Sequence, residues 1–179
     1  VFTIRPSTTA DRPGVRDLIL ARSDWLEQRG METWRDAAES VADLAGEDGG
    51  GMWVVQAGQQ IIGTTTLQDQ APPEWTADEA AQPALYLFTT ATHPDWREHR
   101  IGTQIAWWAL DHAAQRDLDW VRRGCYFDGL AALYRQQGYT LVRTTQRNTR
   151  TLHMFQHPAQ LRSDVVLTAA TEAPDLPAR

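Results

Sequence analysis

The chain contains no lysine: all 17 of its basic residues are arginine. It has a single cysteine, Cys125, so no disulfide can form within it, and a reducing cytoplasm is the expected compartment. No apolar run approaches the roughly 20 residues that cross a bilayer, which argues against a membrane role. The opening residues, Val1–Pro6, lack the basic-then-apolar layout of a secretion signal and read as a first strand. Positive charge is in deficit overall. The net charge of −6 argues against nucleic acid as a partner and suits a cationic small molecule. Tryptophan, by contrast, is abundant, with eight in 179 residues. Some of these are expected in the core, and others could offer rigid faces to a ligand or a cation.

Hydrophobic spacing divides the chain into alternating elements. Phe2–Arg5 reads as a strand. Val15, Leu18, Ile19, Trp25 and Leu26 recur at spacings that predict a helix from Ala10 to Gln28, ended by Gly30. A second helix is expected from Arg35 to Ala45, followed by a flexible turn, Gly46–Gly51. Met52–Gln56 and Gln60–Leu67 read as a hairpin. Gln68–Pro83 is irregular, with three prolines, four carboxylates and Trp75. Loops of that length are functional or disordered, and a mobile flap near a site is expected. Ala84–Thr92 reads as a central strand and Ile101–Arg116 as a largely apolar helix. Asp119–Tyr126 is a strand and Asp128–Gln137 a helix closed by Gly138. Tyr139–Thr144 and Thr151–Gln156 form a last strand pair, and from Gln160 a frayed polar tail is expected. Residues 1–158 are thus expected to form one α/β domain with a mostly antiparallel mixed sheet flanked by helices, and 159–179 a polar tail.

The stretch from Leu85 to Ile105 organises the rest. It reads as strand, turn, basic loop and helix start, and a helix start offers free amides and a positive dipole end to an anion. Two segments in this order resemble the GNAT superfamily of N-acetyltransferases. His93–Gly102, HPDWREHRIG, is similar to the acyl-CoA loop of that family, with Arg97 and Gly102 matching its ends. Leu133–Tyr139, LYRQQGY, resembles its tyrosine-bearing helix that ends in Gly-aromatic. Trp25–Trp34, WLEQRGMETW, resembles a variant found in bacterial members. The first loop glycine of the family is replaced by Arg100. Arginine can donate to phosphate there if its φ is negative, and is strained by roughly 1 kcal/mol if φ must be positive. The asparagine found in many members between Cys125 and Leu130 is absent, with Asp128 as a stand-in.

The resemblance implies a GNAT-like fold and direct transfer of an acetyl group from acetyl-CoA, as co-substrate, to a primary amine. Ala91 and Thr92 would hold the pantetheine, and Arg97, Arg100, Gly102 and Thr103 the pyrophosphate. Oxyanion-type donors near the strand end are worth on the order of 3 kcal/mol each. Tyr134 would protonate the departing thiolate. For the base that deprotonates the ammonium, Glu32 ranks first, between Trp25 and Trp34, with Glu74, Glu79 and Asp95 as other candidates and a water chain as an equal alternative. Trp25, Trp34 and Trp75 could line the acceptor pocket. Cys125 reads as an inert buried thiol. His153 and His157 lack further ligands nearby, so no metal is expected. Gly49–Gly50–Gly51 lacks a following Lys-Ser/Thr and reads as a turn rather than a nucleotide loop. The acceptor is expected to be a small amine such as an amino sugar, a polyamine or an antibiotic, so that resistance by acetylation is one use. A homodimer is compatible with the sequence. The competing readings are a protein or peptide acetyltransferase and a non-catalytic CoA-binding or interaction module.

Overall fold

The computed structural model describes residues 1–48 and 50–170. Gly49, Pro174 and Pro177 lie outside the described residues. The order is β1 (Phe2–Pro6), α1 (Arg12–Glu27), α2 (Ala38–Asp43), β2 (Met52–Ala57), β3 (Gln60–Gln68), α3 (Ala77–Ala80), β4 (Ala84–Thr92), α4 (Ile101–Ala114), β5 (Trp120–Cys125), α5 (Asp128–Gln136), β6 (Thr140–Arg147), β7 (Arg150–Pro158) and β8 (Leu167–Ala169). The strands form one mixed sheet in the order β6-β7-β5-β4-β3-β2-β1-β8. It is antiparallel except for β4 with β5 and β1 with β8.

Strand alternation divides the core into two faces. Leu85 and Leu87 of β4 point to one side, where they pack with Ile105, Ala109 and Leu110 of α4 and with Tyr134 of α5. Ile105 and Leu110 are fully buried, and burial of such a side chain contributes about 2 kcal/mol. On the other side Ala91 packs with Val15, Leu18 and Ile19 of α1 and Val41 of α2. Tyr86 shares that second side with Trp75, Leu152 and Met154.

The feature that positions the site is a divergence in the middle of the sheet. β4 and β5 pair only over Ala84–Leu87 and Trp120–Arg123. Beyond Leu87, β4 keeps its pairing with β3 alone. A β-bulge lies at this point: the register with β3 shifts between Thr64 and Thr66, and Thr89 takes a φ of +50°. Bulges bend a strand and re-aim its side chains. Here the bend leaves a gap between the ends of two parallel strands.

Three expectations are corrected. The segment after Gln160 does not fray through Ala170. The Gln160 amide donates to the Leu110 carbonyl, Arg162 N to an Asp111 carboxylate oxygen and Val166 N to Gln104 Oε1. Leu167–Ala169 then adds β8 parallel to β1. Three residues of edge strand carry too little pattern to be read from sequence. The Gly46–Gly51 turn is pinned at both ends: a Cβ on Gly46 would collide with the Thr9 amide, and one on Gly51 with the Leu67 carbonyl. Both glycines have positive φ, +74° and +70°.

The third correction concerns Gln68–Pro83, expected as a mobile flap. It is clasped to the sheet. Glu74 forms a two-pronged ion pair with Arg147 at 2.6 and 2.7 Å. Glu79 does the same with Arg143 while also capping α3 at Thr76. The fully buried Arg122 donates to the Glu79 carbonyl, to Gln82, to Gln156 and to the Tyr86 hydroxyl. Its guanidinium lies 4.6 Å from the centre of the Trp75 ring. Two of the four carboxylates of the segment, Glu74 and Glu79, are matched by arginines from β6, while Asp69 and Asp78 are exposed.

Candidate functional site

The loop between β4 and α4 is a 3-10 turn, Pro94–His99, ended by Arg100 at φ +51° and ψ +42°. Arginine therefore sits in the left-handed region, the strained one of the two cases posed by the sequence. The left-handed residue after the turn aims successive amides toward one point, an arrangement that favours anions. α4 begins immediately after it with no side-chain cap, so the first amides of the helix have no intrahelical acceptor. Gly102 lies in this first turn, and a Cβ added to it would meet nothing closer than Thr92 Cγ2 at 3.8 Å. The glycine is not demanded by the protein's own packing, and it leaves room at the helix start.

Arginines surround this opening. Arg97 lies 5.0 Å from the centre of the Trp25 ring and Arg29 lies 3.8 Å from it. Arg22, one turn before Trp25 on α1, reaches the Thr92 carbonyl at 3.4 Å. Burial pushes the Arg22 guanidinium below its ordinary pKa. Among the described residues, Arg22, Arg97 and Arg100 have no carboxylate within 4.0 Å. A desolvated cation without a counterion is the natural complement of a bound anion.

Behind the opening lies a cavity of about 860 Å³ in the gap between β4 and β5. Its walls include Trp25, Trp34, Trp75, Glu32, Tyr134, Ala91, Thr92 and Gly102. Arg97, Arg100 and Thr103 are not part of the wall. The Thr103 side chain is buried and accepts a hydrogen bond from Gln137 Nε2 at 3.2 Å. Tyr134 is buried on α5, edge-on to Phe155 and 3.8 Å from the Arg123 guanidinium. Arg123 donates to Gln137 Oε1 at 3.3 Å, and its buried Nε has no partner among the described residues.

Other candidates fall differently. Glu32 forms an exposed two-pronged ion pair with Arg150, at 3.0 and 3.1 Å, across the cavity mouth. Arg143 holds the Glu79 carboxyl at about 2, and Arg147 likewise holds Glu74 below its ordinary value. Neither of these two can accept a proton near neutrality while clasped. Asp95 is exposed beside His93. Asp128, in the position of the missing asparagine, is fully exposed and lies 3.5 Å from His153 Nε2. Burial raises the Cys125 thiol, which disfavours a thiolate nucleophile there.

Sequence reasoning passed over Arg22 and Arg123. Each carried a signal. Arg22 lies on the apolar stripe of α1, four residues after Leu18 and three after Ile19. Arg122 and Arg123 are consecutive in a strand at the centre of the sheet, where alternation buries one on each face.

A gap between parallel strands, opening onto an uncapped helix start ringed by arginines, suits an extended anionic ligand. Comparison with known proteins agrees. The Acetyltransferase (GNAT) family profile matches residues 18–139. The chain is 22% identical over 150 residues to an uncharacterised N-acetyltransferase, YesJ, of Bacillus subtilis, covering 79% of this chain and 83% of that protein. Its fold is shared with a GNAT-family acetyltransferase of Listeria monocytogenes, at a TM-score of 0.69 and 17% identity, covering 88% of this chain and 94% of that one. It is shared also with the ribosomal-protein-S18-alanine N-acetyltransferase of Escherichia coli, at a TM-score of 0.63 and 14% identity, covering 92% and 97%. The chain belongs to the GNAT acetyltransferase family, and it is an acyl-CoA-dependent N-acetyltransferase.

Proposed function

We propose that the protein transfers the acetyl group of acetyl-CoA directly to a primary amine on a small molecule. The observation that carries the acceptor size is the clasped segment Gln68–Pro83. Its anchors, Glu74–Arg147 and Glu79–Arg143, hold Trp75 as a wall over the cavity. A polypeptide acceptor needs an open groove where this segment lies. An amino sugar, a polyamine or an amine-bearing antibiotic does not, and inactivation of such an antibiotic is one use of the activity.

In this reading the amides and arginines at the start of α4 take the pyrophosphate, with Gly102 allowing close approach. Residues Thr89–Thr92, left without a β5 partner, offer backbone hydrogen bonds to the pantetheine arm. The amine nitrogen bonds to the thioester carbon, the C–S bond breaks, and Tyr134 gives its hydroxyl proton to the thiolate. Trp25, Trp34 and Trp75 contribute apolar wall to the acceptor. Glu32 serves as base only when its pair with Arg150 opens, so a water chain remains its equal. The buried free thiol of Cys125 supports a cytoplasmic setting.

One observation favours a peptide acceptor instead. Met31, Trp34 and Phe127 leave 51%, 44% and 41% of their surfaces exposed, and all three belong to the cavity wall. The test is calorimetry with acetyl-CoA followed by a free-thiol release screen over small amines and peptides with free N-termini. Small amines are expected to turn over and peptides not. Absence of acetyl-CoA binding at hundreds of micromolar, or turnover confined to peptides, overturns the proposal.

A further inference from the structure

The large cavity adjoins a smaller one, of about 520 Å³, and the two share Phe88 and Thr89. The smaller is walled by Glu47 and Asp48, both exposed and neither ion-paired among the described residues, and by Thr66, whose buried Oγ1 has no hydrogen-bond partner among them. Exposed acidic residues of this kind are ordinarily just solvated. The large cavity is the reverse case. Its glutamates, Glu32 and Glu74, are taken up by Arg150 and Arg147, so what stays unbalanced in its wall is positive charge. Arg123 is the part of that charge that touches Tyr134.

Strand alternation places it there. Along β5, Arg122 turns toward Trp75 and Tyr86, while Arg123 stands opposite Leu87 and Phe155 on the face covered by α4 and α5. Its guanidinium lies 3.8 Å from the centre of the Tyr134 ring and 5.6 Å from that of Tyr139. Arg123 is 6% exposed and has no carboxylate within 4.0 Å among the described residues. Its hydrogen bond goes to a neutral acceptor, Gln137 Oε1. Gln137 is held in turn, since its Nε2 donates to Thr103 Oγ1 and its carbonyl accepts from Trp107 Nε1. A buried cation that nothing in the fold neutralises costs stability, and negative charge forming beside it offsets that cost. The three buried tyrosines differ in a related way. The Tyr86 hydroxyl accepts from Arg122 and the Tyr139 hydroxyl donates to the Ala106 carbonyl, whereas the Tyr134 hydroxyl has no hydrogen-bond partner among the described residues. Tyr134 also lines the large cavity.

We propose that Arg123, held by Gln137, is a positioning residue for acetyl transfer: it steadies the Tyr134 ring and balances the negative charge left on it when its proton passes to the thiolate. The proposal rests on the reading of Tyr134 as the acid. As the amine nitrogen bonds to the thioester carbon, the C–S bond breaks and its electron pair goes to sulfur. Sulfur takes the Tyr134 proton, which leaves a phenolate with Arg123 over its face. The proton shed by the new amide nitrogen passes to water, and the phenolate regains its own from water. A cation over a ring is drawn to the negative face of the π-system. The attraction grows as the ring takes on charge, so it is stronger in the transition state than in the ground state.

The test measures kcat and KM with acetyl-CoA and the fastest amine of the thiol-release screen, or as hydrolysis of acetyl-CoA if no amine turns over. Arg123→Met is expected to lower kcat about tenfold, the size of a desolvated cation–ring contact, with KM for acetyl-CoA unchanged. Gln137→Glu leaves Arg123 in place but sets a carboxylate against it, and should lower kcat by a similar factor. That variant decides the question if Arg123→Met does not fold. In a Tyr134→Phe background, Arg123→Met should bring no further loss, because the two residues act as a unit. An unchanged kcat in Gln137→Glu, a loss confined to KM, or the same loss again in the Tyr134→Phe background overturns the role of Arg123 and leaves the acid standing. Full activity of Tyr134→Phe is a separate result: it removes the acid, and the proposal with it. Absence of any thiol release by the wild type fails the transfer reading and ends both.

Discussion

The two cavities that meet at Phe88 and Thr89 carry opposite charge. The larger has five arginines in its wall against two glutamates, and both glutamates, Glu32 and Glu74, are already ion-paired. The smaller has Glu47 and Asp48 and, among the described residues, no cation. The net charge of −6 foretells neither, because it averages over a surface whose ligands meet only a few residues. An acetyltransferase of this kind faces a specific electrostatic problem. Its co-substrate carries phosphates, and the amine proposed as its acceptor is an ammonium ion at neutral pH. Placing both fields in one cavity would draw the amine toward the phosphate end, away from the thioester. In this protein the two fields lie in separate walls that share only Phe88 and Thr89. At physiological salt, surface charges more than about 8 Å apart are largely screened, so the division has to be built into the walls themselves.

The strongest way to sharpen this division is to remove the proton donor assigned to the large cavity. Tyr134→Phe keeps the ring that lies against Arg123 and Phe155 and removes only the hydroxyl. Turnover should fall by about a hundredfold, the ordinary contribution of a positioned acid. Acetyl-CoA affinity, measured by calorimetry, should hardly change. Undiminished turnover would take Tyr134 out of the chemistry and leave the large cavity with a binding role alone.

A smaller effect separates paired from unpaired acid. Glu74 and Glu79 close the large cavity and both have folded pKa values below the ordinary 4.5, because Arg147 and Arg143 favour their charged forms. The clasps therefore stabilise the fold above that ordinary value. Their contribution fades as pH falls below it, and for Glu79 is gone only near pH 2. Both pairs are partly wetted, so each is worth less than about 1 kcal/mol. Thermal unfolding between pH 7 and pH 3 should show a shallower loss of Tm in Glu79→Gln than in the wild type. Parallel curves would mean that the clasp contributes nothing and the segment is held by Trp75 and Arg122 instead.

Much of the large cavity could be read from residues, and almost none of the small one. α1 and α4 announce themselves through apolar spacing, and β4 through the apolar run Ala84–Phe88 at its start, with expected bounds, Ala84–Thr92, that match the structure. The loop before α4 carries a family pattern within ten residues. The divergence of β4 and β5 depends on a bulge at Thr89, and nothing in a threonine-rich strand marks which threonine turns left-handed. The small cavity joins Glu47 and Asp48 to Thr66 and Thr89, from three separate segments, and its defining feature is an absent hydrogen bond. Pattern reading sees local period and local chemistry. It cannot see a missing partner, which exists only once every neighbour is in place. The clasped segment failed for a related reason: two of its carboxylates, Glu74 and Glu79, looked solvated until β6 supplied arginines more than sixty residues away.

The smallest expected effect concerns Arg100, at the turn that leads into α4. Its φ of +51° costs an L-residue about 1 kcal/mol, which glycine would not incur. Glycine also loosens the unfolded chain, a penalty of about 0.4–1 kcal/mol that offsets most of the gain. Arg100→Gly should therefore raise Tm by no more than about 2 °C. For the ligand the two roles of the arginine pull in opposite directions. If the side chain donates to phosphate, its loss weakens acetyl-CoA binding by about threefold at low salt, and the difference shrinks as salt rises. If instead the side chain crowds the helix start, the variant binds acetyl-CoA more tightly at every salt concentration. The exposed guanidinium and the open start of α4 favour the first outcome. Arg100 lines neither cavity, so the salt dependence of acetyl-CoA binding reads the helix start alone.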